Sequence, residues 1–305
     1  MMPTPTRLIP AALGGAAVFG AGMVGGGLVE AHAFVTHHVD VPVLAPGAAP
    51  IRVLHISDIH LMSRQGDKMA FLRRLADEEP DLVISTGDHI SEGRAIIPLI
   101  ESLTPFKGLP GAFVFGSNDY EAPRWRNPAA YLWRSTAGDT EHARVALPTG
   151  HLRERLLGLG WADLNDATAR VQAAGRTIDL RGTGDPHIRF DHYEQVAGPP
   201  APDAELTIGV THAPYRRVLD AMVDDGLPLV LAGHTHGGQV CLPNGRAIIT
   251  NCDIDPERAR GLHRWEHDGN EGWLHVSNGM GSSPFAPYRL FCRPSATLLR
   301  LVPAE

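Results

Sequence analysis

The stretch LHISDIH, residues 54–60, decides how the rest of the chain is read. It closes a longer apolar run, IRVLHIS (51–57), whose β-branched residues read as a buried strand. That strand delivers Asp58 and His60, two metal-ligating side-chain types, at its carboxyl end. The pattern then recurs. LVIST (82–86) runs into Gly87-Asp88, AFVFG (112–116) into Ser117-Asn118-Asp119, LTIGVT (206–211) into His212, and PLVLAG (228–233) into His234-Thr235-His236. Taken singly, an Asp-x-His or a Gly-Asp is more often a cap or a turn than a ligand. Five such tips in order are different, because ligands of open α/β sheets bind outside the carboxyl ends of the strands, so all five can share one crevice.

Between these strands the apolar spacing predicts helices near 66–78, 94–103 and 215–224, an alternation that means βαβ units. Later apolar runs, QVCL, AIIT, WLHVS and ATLLRL, are short and suggest antiparallel sheet. No internal repeat or second boundary is visible, so one domain is expected over 51–303. Ahead of it, THHVDVPVLAPGAAP (36–50) carries three prolines and reads as an extended linker. The stretch 121–150 is too long for a routine connection, and loops of that length are often functional. It holds Arg124, Trp125, Arg126, Tyr131, Trp133 and Arg134, which either contact a substrate or pin the loop to the body.

Composition narrows the function classes. A net charge of −7 gives no basic field for a nucleic-acid backbone, so nucleic acid is not expected as a partner. Three cysteines, Cys241, Cys252 and Cys292, form no CxxC pair, so neither a disulfide framework nor a thiolate zinc site is indicated. Sixteen histidines in 305 residues are the compositional oddity. From Leu8 to Val29 no residue is charged, long enough for a membrane-spanning helix of roughly 20 residues. Seven of those 22 positions are glycine, and Ala31-His32-Ala33 resembles a signal-peptidase site, so residues 1–35 are either an anchor or a cleaved export signal. The anchor reading is preferred. With Arg7 before the segment and Glu30 after it, the positive-inside tendency puts the catalytic domain on the extracytoplasmic side.

The ordered set Asp-x-His, Gly-Asp, Gly-x-Asn, His, Gly-His-x-His resembles the calcineurin-like metallophosphoesterases. The likeness covers essentially all of 51–303. Through its N-terminal segment, LHISDIH, LAGHTHGGQV and the closing NGMGSSPFAPYRLFCRPSATLLRL, the chain is similar to the membrane-associated bacterial branch. The resemblance implies a four-layer α/β/β/α sandwich holding two divalent ions. Asp58, His60 and His236 would hold one ion, Asn118, His212 and His234 the other, and Asp88 would bridge them. Imidazoles and carboxylates without thiolate suit Mn, Fe or Zn. With only two carboxylates among seven ligands, two M²⁺ ions would keep a formal charge of about +2, or about +1 beside a bridging hydroxide, and so attract an anionic phosphoester.

One position departs from the pattern. Where the family places a histidine near the phosphate, this chain has Asp119. Beside two cations a carboxylate stays ionised and is no proton donor, so Asp119 either orients a ligand histidine or acts in the chemistry itself. His89 and His187 are the alternative acids, and Arg124 and Arg126 the expected substrate contacts, with His187. The expected function is metal-dependent hydrolysis of phosphomonoester, phosphodiester or pyrophosphate bonds by attack of a metal-bridging hydroxide at a membrane surface. The substrate would be a phosphorylated small molecule or a lipid-linked one. The alternative is a dimetal-binding scaffold that lost turnover along with the histidine.

Overall fold

The computed structural model describes residue 20, residues 22–125 and residues 145–304. Two six-stranded sheets form its centre. The first has the order β1 (Val35–Leu44), β12 (Ser295–Pro303), β2 (Ile51–Ile56), β3 (Leu82–Ser85), β4 (Gly111–Phe113), β5 (Ala162–Asp163). The second has the order β10 (Gly261–His267), β11 (Asn270–Val276), β9 (Leu229–Ala232), β8 (Leu206–Val210), β7 (Arg176–Gly182), β6 (Ala167–Ala173). Strands β2, β3 and β4 run parallel, with Ile56 opposite Ser85 and Ser85 opposite Phe113, and β8 and β9 run parallel in the other sheet. All five sequence-read strand ends therefore point out of the ends of parallel strands.

The side-chain alternation of each strand assigns its faces. Val53, Leu82, Ile84, Ile208, Val210, Leu229 and Leu231 pack with one another between the sheets. Leu54, Ile56 and Val83 face the opposite way, onto α2 (Gly66–Arg74), α3 (Ile96–Leu103) and α5 (Thr149–Leu157), through Leu72, Leu99 and Leu152. On the far side, Val230, Ala232, Leu274 and Val276 pack on Val218, Leu219 and Met222 of α6 (Arg216–Asp224). Three separate apolar layers of this kind make a helix–sheet–sheet–helix sandwich.

Three expectations change. Residues 36–50 are not a free linker, because Val35–Leu44 is an edge strand parallel to β12, from Val35 opposite Ser295 to Pro42 opposite Val302. Val41 and Leu44 are buried in the inter-sheet core, and an edge position tolerates the missing N–H of Pro42. QVCL and AIIT are not strands; they form isolated bridges, Cys241 with Ala247 between them and Val240 with Leu290. Of the N-terminal segment, residues 22–30 form a helix, α1, while 1–19 lie outside the described residues. Among the described residues no helix is long and apolar enough to cross a membrane. The backbone of Gly27 in α1 accepts from the Arg289 N–H (2.9 Å), and Val24, Leu28 and Val29 are exposed.

Candidate metal centre

Strand β2 ends at Ile56, and the chain then turns through Asp58 (φ 48) and His60 (φ 44). Asp88 (φ 52), His234 (φ 68) and His236 (φ 52) turn the same way after β3 and β9. Left-handed backbone is uncommon for residues with a Cβ, and five instances on five proposed ligands mark a site where local strain is held by the surrounding fold. Two glycines let the ligand loops touch. A Cβ on Gly116 would lie 2.3 Å from Asp88 Oδ1 and 2.6 Å from His212 Nε2, and one on Gly233 would lie 2.6 Å from Asp58 Oδ2.

The result is one continuous cluster. Asp58, His60, Asp88 and His236 each present a ligand atom within 4.8 Å of the others. His60 Nε2 lies 3.2 Å from His236 Nε2 and 3.3 Å from Asp88 Oδ2, and His236 Nε2 lies 3.6 Å from Asp58 Oδ1. On the other side of Asp88, His212 Nε2 is 3.7 Å from Oδ2 and 3.2 Å from His234 Nδ1, while the Asn118 amide donates to Oδ2 (2.7 Å). Asp88 thus sits between two groups of three. All seven sequence-read ligands are in the cluster.

The supporting shell fixes which ring nitrogens remain available. His212 Nδ1 donates to the Thr86 carbonyl (2.6 Å) and His236 Nδ1 to the Gly281 carbonyl (2.9 Å), so both Nε2 atoms face inward. Arg289, fully buried, donates to that same Gly281 carbonyl (2.6 Å) and to the His236 carbonyl (3.2 Å). Behind Asp58 runs a buried chain: His55 Nε2 meets Thr86 Oγ1 (2.9 Å), the Thr86 hydroxyl donates to Ser57 Oγ (2.6 Å), and the Ser57 hydroxyl donates to Asp58 Oδ2 (2.6 Å).

Electrostatics fit a cation. Burial pushes the Asp88 carboxyl up, but His212, His60 and the Asn118 N–H more than offset it and hold Asp88 well below the usual carboxylate range. Burial, then neighbouring imidazoles, keeps His234 and His236 neutral, the form that ligates metal. His212 is buried yet pushed up to about 9 by Asp88, Asp185 and Asp58, so the carboxylates around its Nε2 favour a positive charge at this point. The donor set, with inward lone pairs on oriented imidazoles and two carboxylates, suits divalent metal ions. The Asn118 amide would turn over to offer its oxygen, an exchange its two-fold shape allows.

The other sequence-read residues are placed less uniformly. Asp119 is fully buried and faces away from the cluster. Its Oδ1 accepts from the His89 N–H (2.7 Å), and its Oδ2 accepts from the Gly116 N–H (3.1 Å) and His89 Nδ1 (2.9 Å). His89 is equally buried, with Nε2 against Ser85 Oγ (2.8 Å) and its ring against Phe113 and Phe115. This pair is an anchor between the loop after Asp88 and α4 (Ser117–Tyr120), and neither member has an acid's access to substrate. Asp119 also orients no ligand histidine; it holds ligand-bearing backbone. His187 does reach the site, its ring centroid 4.3 Å from that of His234 and its Nδ1 3.1 Å from the Tyr215 hydroxyl. Arg124 lies on the half-buried segment following α4, and Arg126 lies outside the described residues.

Sequence reasoning missed Asp185, two residues before His187 in GTGDPH (182–187). Asp185 is fully buried, accepts from the His187 N–H (2.8 Å) through Oδ1, and leaves Oδ2 without a hydrogen-bond partner among the described residues. Burial, partly opposed by His212, pushes its carboxyl up to about 7. A Gly-x-Gly-Asp at the end of a strand (β7) is the signal that could have found it.

Comparison with known proteins agrees with this geometry. The calcineurin-like phosphoesterase family matches residues 51–238. The chain is 30% identical over 200 residues to YpbG of Bacillus subtilis, a match that spans 64% of this chain and 64% of that protein's length. It is 26% identical to the phosphodiesterase YaeI of Escherichia coli, over 84% of this chain and 83% of that one. It is 25% identical to the uncharacterized metallophosphoesterase YkuE of Bacillus subtilis, over 90% and 87%. With the ligand-bearing strand ends inside the matched region, the chain belongs to the calcineurin-like phosphoesterase family.

Proposed function

We propose that this chain hydrolyses phosphate esters with two divalent ions, phosphodiesters before monoesters, at a membrane surface. The observation that carries the reading is the position of Asp88 between the Asp58–His60–His236 group and the Asn118–His212–His234 group. Divalent ions bound by these residues would supply Lewis acidity toward a phosphoryl group and toward water. The chain's own residues do the rest. Asp58, His60 and His236 would hold one ion, Asn118, His212 and His234 the other, and Thr86, Gly281 and Arg289 keep the imidazoles aimed. Asp185 and His187 line the His212–His234 side, where a substrate oxygen would approach.

The diester preference draws on the name of the Escherichia coli relative. The membrane reading draws on the uncharged run 8–29 and the exposed Val24, Leu28 and Val29 of α1, and lipid-linked pyrophosphates and phospholipid headgroups are the substrates it favours. An extracytoplasmic catalytic domain follows from Arg7 preceding that run. A second reading, a dimetal-binding scaffold without turnover, is favoured by one observation: Asp119 is turned inward, so no proton donor stands where the family has its histidine.

One experiment separates the two. Full-length protein in detergent is stripped of metal, reloaded with Mn²⁺ and offered bis-p-nitrophenyl phosphate, p-nitrophenyl phosphate and a nucleotide-sugar. Metal-dependent release from the diester supports the enzyme. Two bound ions with no turnover of any substrate supports the scaffold.

A further inference from the structure

Behind the turn that carries His236, two cysteines meet in a small buried cluster with Ala247 and Ala259. Cys241 follows that turn by five residues, and Cys292 lies three residues beyond Arg289. The Cys241 thiol donates to the Gly237 carbonyl (3.1 Å), and the Cys292 thiol reaches both the His236 carbonyl (3.2 Å) and the same Gly237 oxygen (3.5 Å). The two sulfurs thus approach the same carbonyl oxygen, that of Gly237, from two different segments. Their backbones are joined as well: Val240 bridges Leu290 in parallel, and the Cys241 N–H donates to the Leu290 carbonyl (2.9 Å). Left-handed backbone at Phe291 (φ 53) lies between Leu290 and Cys292. The third cysteine, Cys252, packs against the α6 cluster instead.

We infer that Cys241 and Cys292 form a disulfide in an oxidising environment, tying the turn that bears His236 to the segment that bears Arg289. The inference is independent of whether the chain turns over phosphate esters. Disulfides bridge Cα atoms about 4.4–6.8 Å apart, and here the bridge of Val240 with Leu290 leaves Cys241 one residue and Cys292 two residues beyond the paired positions. The chemistry needs a disulfide co-reactant, either oxidised glutathione or a protein oxidant. One cysteine, as thiolate, attacks a sulfur of the oxidant and expels one thiolate. The second cysteine then attacks the mixed disulfide and expels the other. The protein loses two protons and two electrons, and the oxidant's S–S bond becomes two thiols.

The clamp would act on the metal centre through backbone. Cys241 Sγ touches the Gly237 carbonyl, Cys292 Sγ touches the carbonyls of both His236 and Gly237, and Arg289 binds the His236 carbonyl (3.2 Å) from the segment that bears Cys292. Closing the intervening loop of about 50 residues restricts the unfolded chain, so the oxidised form should melt about 5–10 °C higher than the reduced one.

The test equilibrates full-length protein in detergent with oxidised or reduced glutathione, quenches with acid, alkylates under denaturing conditions and measures intact mass and non-reduced peptides. Expected is one alkylated cysteine in the oxidised sample, with a linked peptide joining Cys241 to Cys292 and Cys252 carrying the label. Cys252→Ser retains the link; Cys241→Ser and Cys292→Ser each lose it. Because a serine in this cluster could unfold the protein, the thermal midpoint of the wild type is also compared before and after reduction. Three alkylated thiols after oxidation, or a link through Cys252, would overturn the inference.

Discussion

Asp119 is the position at which sequence and family pattern part, and Asp119→His is the change that tests what replaced the histidine. The carboxylate is fully buried and accepts three good hydrogen bonds, from the His89 N–H (2.7 Å), His89 Nδ1 (2.9 Å) and the Gly116 N–H (3.1 Å), with a longer one from the Ile90 N–H (3.4 Å). A hydrogen bond to a charged group contributes about 1.5–3 kcal/mol net, and bonds sharing one acceptor group do not add in full. Removing the carboxylate should therefore destabilise by roughly 3–6 kcal/mol, much of the 5–15 kcal/mol a domain typically has. Histidine has one acceptor nitrogen at most and a larger ring, which in a packed site adds about 1–3 kcal/mol. Because His89 follows Asp88 directly and Gly116 precedes the Asn118 turn, the same change loosens two ligand-bearing loops. Urea unfolding of metal-free protein, followed by tryptophan fluorescence, should show the loss for Asp119→Ala and Asp119→His and about half of it for Asp119→Asn. Diesterase activity at saturating Mn²⁺ should fall at least tenfold in Asp119→His. Activity that rises in Asp119→His with stability unchanged would refute the anchor role and reinstate Asp119 as a vacated acid position.

Two further outcomes follow from the packing and charge of the site. Gly116→Ala places a methyl group 2.3 Å from Asp88 Oδ1 and 2.6 Å from His212 Nε2, so one of the two ions should be lost by elemental analysis while the fold survives a cost of about 1–3 kcal/mol. Two tightly held ions in that variant would show that the loops do not close around metal as described. Lys68 is buried, donates to the Ile59 carbonyl (2.7 Å), and is lowered to about 7 by burial and then by Arg289. Between about 7 and its unfolded value of 10.5 the unfolded chain binds the extra proton, so the Lys68 contribution grows as pH rises and is lost as pH falls through 7. The stability difference between wild type and Lys68→Met should shift by roughly 2 kcal/mol toward wild type from pH 7 to pH 9, and a flat difference would contradict the burial of that amine.

The parallel strands were legible because strands buried on both faces are continuous apolar runs, and their ligands sit at the tips as Asp-x-His, Gly-Asp and His-x-His. β1 was hidden by Pro42, which argues against a strand everywhere except at an edge. The β6–β7 hairpin was hidden because the partly buried face of β6 is mostly alanine, at 167, 169 and 173, too weak an alternation to read. In the site, ligand identity is a matter of residue type at a strand end and so shows in sequence. The direction in which a side chain points is not. Asp119 facing inward depends on three donors from two loops, and the grip of Arg289 on the His236 turn joins residues 53 apart. Asp185 was passed over because a carboxylate after Gly-Thr-Gly reads as a turn until its burial is known.

The most direct measurement is metal content. Full-length protein, stripped with chelator, reconstituted with Mn²⁺ or Zn²⁺ and desalted, should carry two equivalents of divalent ion per chain by inductively coupled plasma mass spectrometry, and Asp88→Ala should carry fewer than one, since both groups of ligands meet at that carboxylate. Wild-type protein holding less than one equivalent after reconstitution would contradict the two-ion centre.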